Sequence, residues 1–293
     1  MGGGALGCAG RTAAWEAEDA AREAGAAKAA AAGDAEAEKT HEALVAEGDA
    51  AWAERTDPDK IRLAIEKWTK AVEVQPDDWQ TMVKLTRAHY FLADGYLRDD
   101  EAAYLATMDE GVRWGERAMM AVSPGFKKKM KAGGRIPDAV QEVGKEGVGA
   151  LYWYASNLGK WAKKKGFTVV LGQKDNIKAI MERALELDPT YFYGGPDRYF
   201  GAYYAIAPAF AGGDLEKSLA HYEKSLQIAP NYAGTYVLMA ENLAYKKQDR
   251  KMFEENLKKV LEMPDDIIPE LVAETRVEKQ KAKELLDQID ELF

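Results

Sequence analysis

From Thr40 onward the apolar residues of this chain recur three and four positions apart, the spacing of one helix face. Leu44, Gly48 and Trp52 start the first stripe. Met82, Leu85, His89 and Leu92 form a second, and Leu151, Ala155, Leu158 and Ala162 a third. The punctuation between stripes is explicit. Asp57-Pro58 opens one helix, Asp77 or Asp78 caps the next, and Asp138 opens a long helix running through Leu151. Gly212-Gly213-Asp214 ends one helix and caps another: glycine tolerates the left-handed closing residue, and the aspartate accepts from free N–H groups of the first turn. Between Val122 and Arg135, a stretch rich in Pro, Gly and Lys reads as a loop.

Within this helical pattern a shorter signature repeats. Ser218, Tyr222, Ser225 and Pro230 stand at offsets of four, three and five. The small residues let two helices approach, the aromatic fills the groove between them, and the proline stops the helix. Ala64, Trp68, Ala71 and Pro76 repeat these offsets, as do Ile177, Met181, Ala184 and Pro189, with Ile177 the poor fit. Gly111, Gly115, Ala118 and Pro124 lengthen the last gap by one residue; Phe253, Leu257, Val260 and Pro264 shorten it by one. The terminal prolines lie 48, 65, 41 and 34 residues apart, against about 34 for the tetratricopeptide unit. The expected fold is therefore all-α: a tetratricopeptide-like array of helical hairpins, an α-solenoid, with irregular insertions and a C-terminal capping helix.

The expected organisation is a short signal-like segment over residues 1–10, an Ala/Glu-rich tether over 11–39, and the helical domain over 40–293. In the tether only Trp15 could anchor to a core. Cys8 is the single cysteine, so no intramolecular disulfide can form. Ala5-Leu6-Gly7-Cys8 resembles the end of a bacterial lipoprotein signal, which would make Cys8 an acylated first residue; the alternative is an incidental thiol. No run approaches the ~20 apolar residues of a membrane span.

Charge narrows the partners. A net charge of −9 argues against nucleic acid, whose binders need a basic face. The lysine clusters Lys127-Lys128-Lys129-Lys131 and Lys163-Lys164-Lys165 read as cations at helix C-termini and in a solvated loop, favoured by the helix dipole. His41, His89 and His221 each lack a companion at metal-ligand spacing, so we expect no metal site. No G-x-S-x-G, Walker loop, H-E-x-x-H or CxxC occurs. We expect no enzyme, no catalytic residue and no cofactor.

Two stretches are unusually aromatic. The helix after Asp138 carries Tyr152, Trp153, Tyr154 and Trp161, with Asn157, on nearly all its sides. Such a helix is buried between layers, lines a cavity or meets another subunit. The segment 191–210 holds Tyr191, Phe192, Tyr193, Tyr199, Phe200, Tyr203, Tyr204 and Phe210, and Pro208 must kink or end its helix. Tyrosines suit a wet groove, because their hydroxyls need partners; a tyrosine-rich core is the alternative. Arg198, after Gly194-Gly195-Pro196-Asp197, could meet an anionic group, although loop geometry explains the glycines equally. The candidate ligand- or pore-lining residues are Tyr152, Trp153, Asn157, Arg198, Tyr199, Tyr203 and Tyr204.

These residues also carry a resemblance. Tyr152-Trp153, Asn157-Leu158-Gly159-Lys160-Trp161-Ala162, Gly194-Gly195-Pro196-Asp197-Arg198, Ala202-Tyr203-Tyr204 and Gly212-Gly213-Asp214-Leu215 resemble the T component of TRAP transporters over roughly 43–260. The resemblance implies a periplasmic, lipid-anchored tetratricopeptide protein, a homotrimer with a central pore, and association with a TRAP substrate-binding protein to pass or hold a small organic solute. The incomplete signal departs from that pattern. A generic tetratricopeptide scaffold for protein–protein interactions in the bacterial envelope is the other reading.

Overall fold

The computed structural model describes residues 11–16 and 34–293, and within them the chain is all-helical. Cys8 and most of the expected tether lie outside the described residues. The chain forms two compact units, one ending at Leu187 and one beginning at Asp188.

In the first unit, α1 (Asp34–Ala53), α2 (Pro58–Val74), α3 (Trp79–Tyr96) and α4 (Glu101–Val122) pack in succession. The helix α6 (Val148–Lys165) then lies against both α3 and α4, and α7 (Phe167–Leu187) packs on α6. The sequence's punctuation acts as read. Asp57 caps α2 with Pro58 in the first turn, and Asp78, not Asp77, caps α3 by accepting from Thr81 N at 3.1 Å.

The region after α4 differs from its expected form. Ser123 accepts from Phe126 N, Pro124 occupies the first turn, and a helix α5 (Pro124–Lys131) turns Phe126 and Met130 inward. Asp138 caps no long helix; it belongs to a short turn, Ile136–Ala139. Two 3₁₀ turns (Val140–Glu142 and Lys145–Gly147), separated by an extended Val143 and Gly144, precede α6. Lys128, Lys129 and Lys131 sit in the last turn of α5, and Lys163, Lys164 and Lys165 in the last turn of α6.

The second unit begins with α8 (Tyr191–Ile206) and α9 (Leu215–Ile228), an antiparallel pair. Asp214 caps α9 through Glu216 N and Lys217 N, and Gly212 takes the left-handed conformation at φ 95°. A further helix, α10 (Ala233–Leu238), continues through a π-helical stretch, Met239–Ala244. There Tyr222 Oη and the Asn242 amide both donate to Leu238 O. Finally α11 (Arg250–Glu262) and α12 (Val272–Asp287) close a core of Tyr236, Phe253, Leu257, Val260 and Ala282.

The repeated signature marks the inward face throughout. Its small and aromatic members, from Ala64, Trp68 and Ala71 to Phe253, Leu257 and Val260, are buried, and the poor fit Ile177 is buried too. Glycine opposite the aromatic makes the close approach possible. A Cβ at Gly48 would stand 2.4 Å from the Trp68 ring, and one at Gly201 would stand 2.7 Å from the Tyr222 ring. Trp68 Nε1 donates to Asp49, while Ser218 Oγ donates to Gly201 O at 2.6 Å, so each hairpin also carries a polar stitch.

One contact lies outside the expected pattern. The segment 11–16 is seated on α4: Arg11 pairs with Asp109 and with fully buried Glu116, Ala14 N donates to Glu116, and Trp15 packs edge-on against Phe126.

Candidate functional site

The candidate residues fall in the two units, and each group has its own setting. In the first unit, α6 is enclosed on almost every side. Tyr152, Trp153 and Tyr154 retain 6%, 4% and 2% of their surface, so this helix is a buried layer between its neighbours. Trp153 packs against Tyr90 and Tyr152, with ring centroids 5.4 and 4.9 Å apart. Arg87 reaches over both the Trp153 and Trp52 rings. Asn157 is fully buried, and its amide N–H groups donate to Thr86 O at 3.0 Å and Trp153 O at 2.8 Å. It therefore bridges α6 to α3. Its carbonyl oxygen accepts no hydrogen bond and lies against Gly111, where a Cβ would meet it at 2.2 Å. Deeper along α6, Lys160 pairs with Asp94 at 2.6 Å. Burial and the Asp94 charge push the nearby Tyr90 phenol well above its ordinary value, so it stays protonated.

His89 borders the same glycine, as its Cβ would lie 3.0 Å from one built at Gly111. It keeps some accessible surface but is otherwise enclosed by protein, its Nδ1 has no hydrogen-bond partner, and burial lowers its pKa to about 4. An unfolded imidazole titrates near 6.5. Between those values the unfolded chain takes up a proton that the folded chain refuses, so stability is lost as the pH falls through the window. By pH 5 the loss reaches about 2 kcal/mol. Denaturant titrations at neutral pH and at pH ~5 are expected to show a His89→Gln variant losing about that much less than the natural chain; equal losses would contradict the assignment.

In the second unit the aromatic helix starts with a strained turn. Phe192, Tyr193 and Gly194 hold φ of 43°, 59° and 68°, the left-handed region that costs a non-glycine residue about 1–3 kcal/mol. Arg198 holds this turn. Its guanidinium donates to Tyr193 O at 2.9 Å and Phe192 O at 3.1 Å, and it lies 4.2 Å above the Tyr232 ring. Tyr193 stacks on the other member of that pair, Tyr232, and its hydroxyl donates to Glu270. Arg198 is thus buried against backbone carbonyls at the foot of α8.

Further along α8, Tyr199, Tyr203 and Tyr204 are half-buried and in mutual contact: Tyr199 stacks on Tyr203, and Tyr204 stacks on His221 at 5.5 Å. His221 is in turn held by Asp197 at 2.7 Å. The helix ends at Ile206, ahead of Pro208, so Phe210 does not continue its face. Instead Phe210 is 82% exposed at the tip of a loop braced by Gly213 N to Pro208 O and Asp214 N to Tyr204 O. No charged residue occurs from Tyr199 to Gly213. Among the described residues, no group of three or more His, Cys, Asp or Glu side chains could hold a metal, and no helix is long and apolar enough to cross a membrane.

These observations define an all-helical protein of packed hairpins with one buried aromatic helix and one partly exposed aromatic face. The TRAP transporter T-component family model matches residues 101–293, which include α4 and every candidate residue except Cys8, and the chain belongs to that family. That family is the T component of TRAP transporters and is associated with the cell envelope. An uncharacterized protein of Treponema pallidum (strain Nichols) is 24% identical over 222 residues, covering 71% of this chain and 66% of that protein. The chain thus spans slightly less than two thirds of that relative's length.

Proposed function

We propose that this protein is a non-enzymatic periplasmic partner of a TRAP-type substrate-binding protein, acting as a homotrimer tethered by a lipid on Cys8. The observation that carries the reading is the second unit's aromatic face, where half-buried Tyr199, Tyr203 and Tyr204 lead to the 82% exposed Phe210. Tyrosines with a wet edge and a rigidly presented phenylalanine suit contact with a binding protein or a small organic solute. A scaffold reading is favoured for the first unit by the burial of Tyr152, Trp153 and Asn157, which supports packing as their main work.

Native mass spectrometry of the chain from Ala9 onward, alone and with the TRAP-type binding protein encoded nearby, tests the reading. A trimer that captures the binding protein is the expected result. A monomer that ignores it would leave the scaffold reading.

A further inference from the structure

The corner where α6 gives way to α7 joins a basic run to an exposed phenylalanine. From Gly147 to Lys174 there is no acidic residue, while Lys160, Lys163, Lys164, Lys165 and Lys174 supply five positive charges in a chain of net −9. Lys163, Lys164 and Lys165 are exposed in the last turn of α6. Gly166, at φ 109°, reverses the chain, and α7 then opens with Phe167, 56% exposed, followed by exposed Thr168 and half-buried Val169, Val170 and Leu171. Among their acidic partners, Asp94 pairs with Lys160, Glu101 stands 3.9 Å from Lys164, and Asp175 pairs with Lys174. Lys164 and Lys165 also lie over the Tyr104 and Trp161 rings, 5.9 and 5.8 Å from the centroids. Their ammonium groups thus rest above aromatic rings at an exposed edge, and a cluster of exposed lysines beside an exposed phenylalanine matches the cation-and-aromatic composition of a bilayer interface.

We propose that this corner seats on the headgroup layer of an anionic lipid bilayer, with Phe167 entering the acyl boundary and the lysines meeting phosphates. Charge favours that occupant, because a chain of net −9 has no general attraction to an acidic surface and this corner inverts the sign locally. Geometry favours it too. Lys164 meets Glu101 and Arg11 meets Asp109, on one helix eight residues apart, which is about 12 Å along its axis. Cys8 precedes Arg11 by three residues, at most about 11 Å of chain. An acyl group there would hold the bilayer beside this corner, a placement that rests on the acylation proposed above; the charge argument does not.

The test uses the full chain carrying Cys8→Ser, so that no lipid is attached, in sedimentation with phosphatidylcholine–phosphatidylglycerol vesicles and with pure phosphatidylcholine vesicles. Retention on the anionic vesicles only, weakened by added salt, is expected. Replacing Lys163, Lys164 and Lys165 by glutamate should reduce the partition coefficient by about fivefold per lysine or more, and Phe167→Ser by about tenfold. All four side chains are exposed, and thermal melting checks that each variant stays folded. Glutamates at Lys127, Lys128 and Lys131 of the other cluster should leave retention unchanged. The proposal is overturned if the Cys8→Ser chain is not retained, if both lysine clusters matter equally, or if the corner variants keep vesicle binding and lose the binding protein instead. Failure of acylation would appear separately, as the absence of lipid mass on the natural chain recovered from membranes, without altering the vesicle result.

Discussion

Trp153→Ala is expected to destabilise the protein by about 3–5 kcal/mol, whereas Tyr203→Ala should cost about 1 kcal/mol. Trp153 is 4% exposed and packed against Tyr90 and Tyr152 beneath the Arg87 guanidinium, so truncation leaves a cavity that α3, α4 and α6 cannot close. Tyr203 is half-buried, and its nearest rings, Tyr199, Phe200 and Tyr204, also pack on one another. The pair of variants therefore separates packing from recognition. A small stability loss in Tyr203→Ala together with weakened capture of the TRAP binding protein would support the exposed-face reading. A loss comparable to that of Trp153→Ala would make α8 an ordinary core helix. Denaturant midpoints read the stability, and native mass spectrometry reads the capture.

What could be read in the sequence was mostly local. Caps such as Asp57, Asp78 and Asp214 act on the next three residues, and the small–aromatic–small spacing is set by one helix face. Both signals survive folding because they need only a neighbouring helix. The same locality explains the errors between α4 and α6. Pro124 and the lysines suggested a loop, yet a serine cap, a first-turn proline, and Phe126 and Met130 four apart are a helix start and an inward stripe. Conversely, Val140, Val143 and Val148 keep a roughly helical spacing through a segment that is not one helix. Its break is held from a distance, by Arg183 donating to Val143 O at 3.0 Å.

The features nearest the proposed function were the least legible. Nothing local predicts that Phe192 and Tyr193 adopt left-handed conformations; Arg198 supplies the compensation from a position inside α8, and Tyr232 does so from beyond α9. The aromatic richness of α6 was visible, but whether its rings met solvent depended on which helices covered them. Asn157 is a further instance: its type suggested a polar lining, and its partners, Thr86 O and Trp153 O, make it a bridge between helices.

Arg11→Ala and Glu116→Ala should each cost about 3–5 kcal/mol, although Arg11 lies outside the described helices. Glu116 is fully buried and accepts from Arg11 Nη1 at 2.9 Å and from Ala14 N at 2.8 Å. Burial alone pushes its carboxyl up, and Arg11 only partly offsets that; for Arg11, burial opposes the charge but Glu116 and Asp109 outweigh it and hold it firmly ionised. Removing Arg11 strands the buried Glu116 charge, and removing Glu116 leaves the buried guanidinium with Asp109 alone; breaking such a pair is costlier than the pair itself is favourable. Glu116→Gln should fall between the natural chain and Glu116→Ala, because it keeps an acceptor for Ala14 while Arg11 retains Asp109. The double variant Arg11→Met with Glu116→Leu should be less destabilised than either alanine variant, because it removes both charges and refills the space. A chain started at residue 34 should lose as much as Arg11→Ala, with the packing of Trp15 on Phe126 in addition. Equal midpoints for the natural and Arg11→Ala chains would show that the segment 11–16 is not docked. If it is docked, a lipid on Cys8 is tied closely to the first unit.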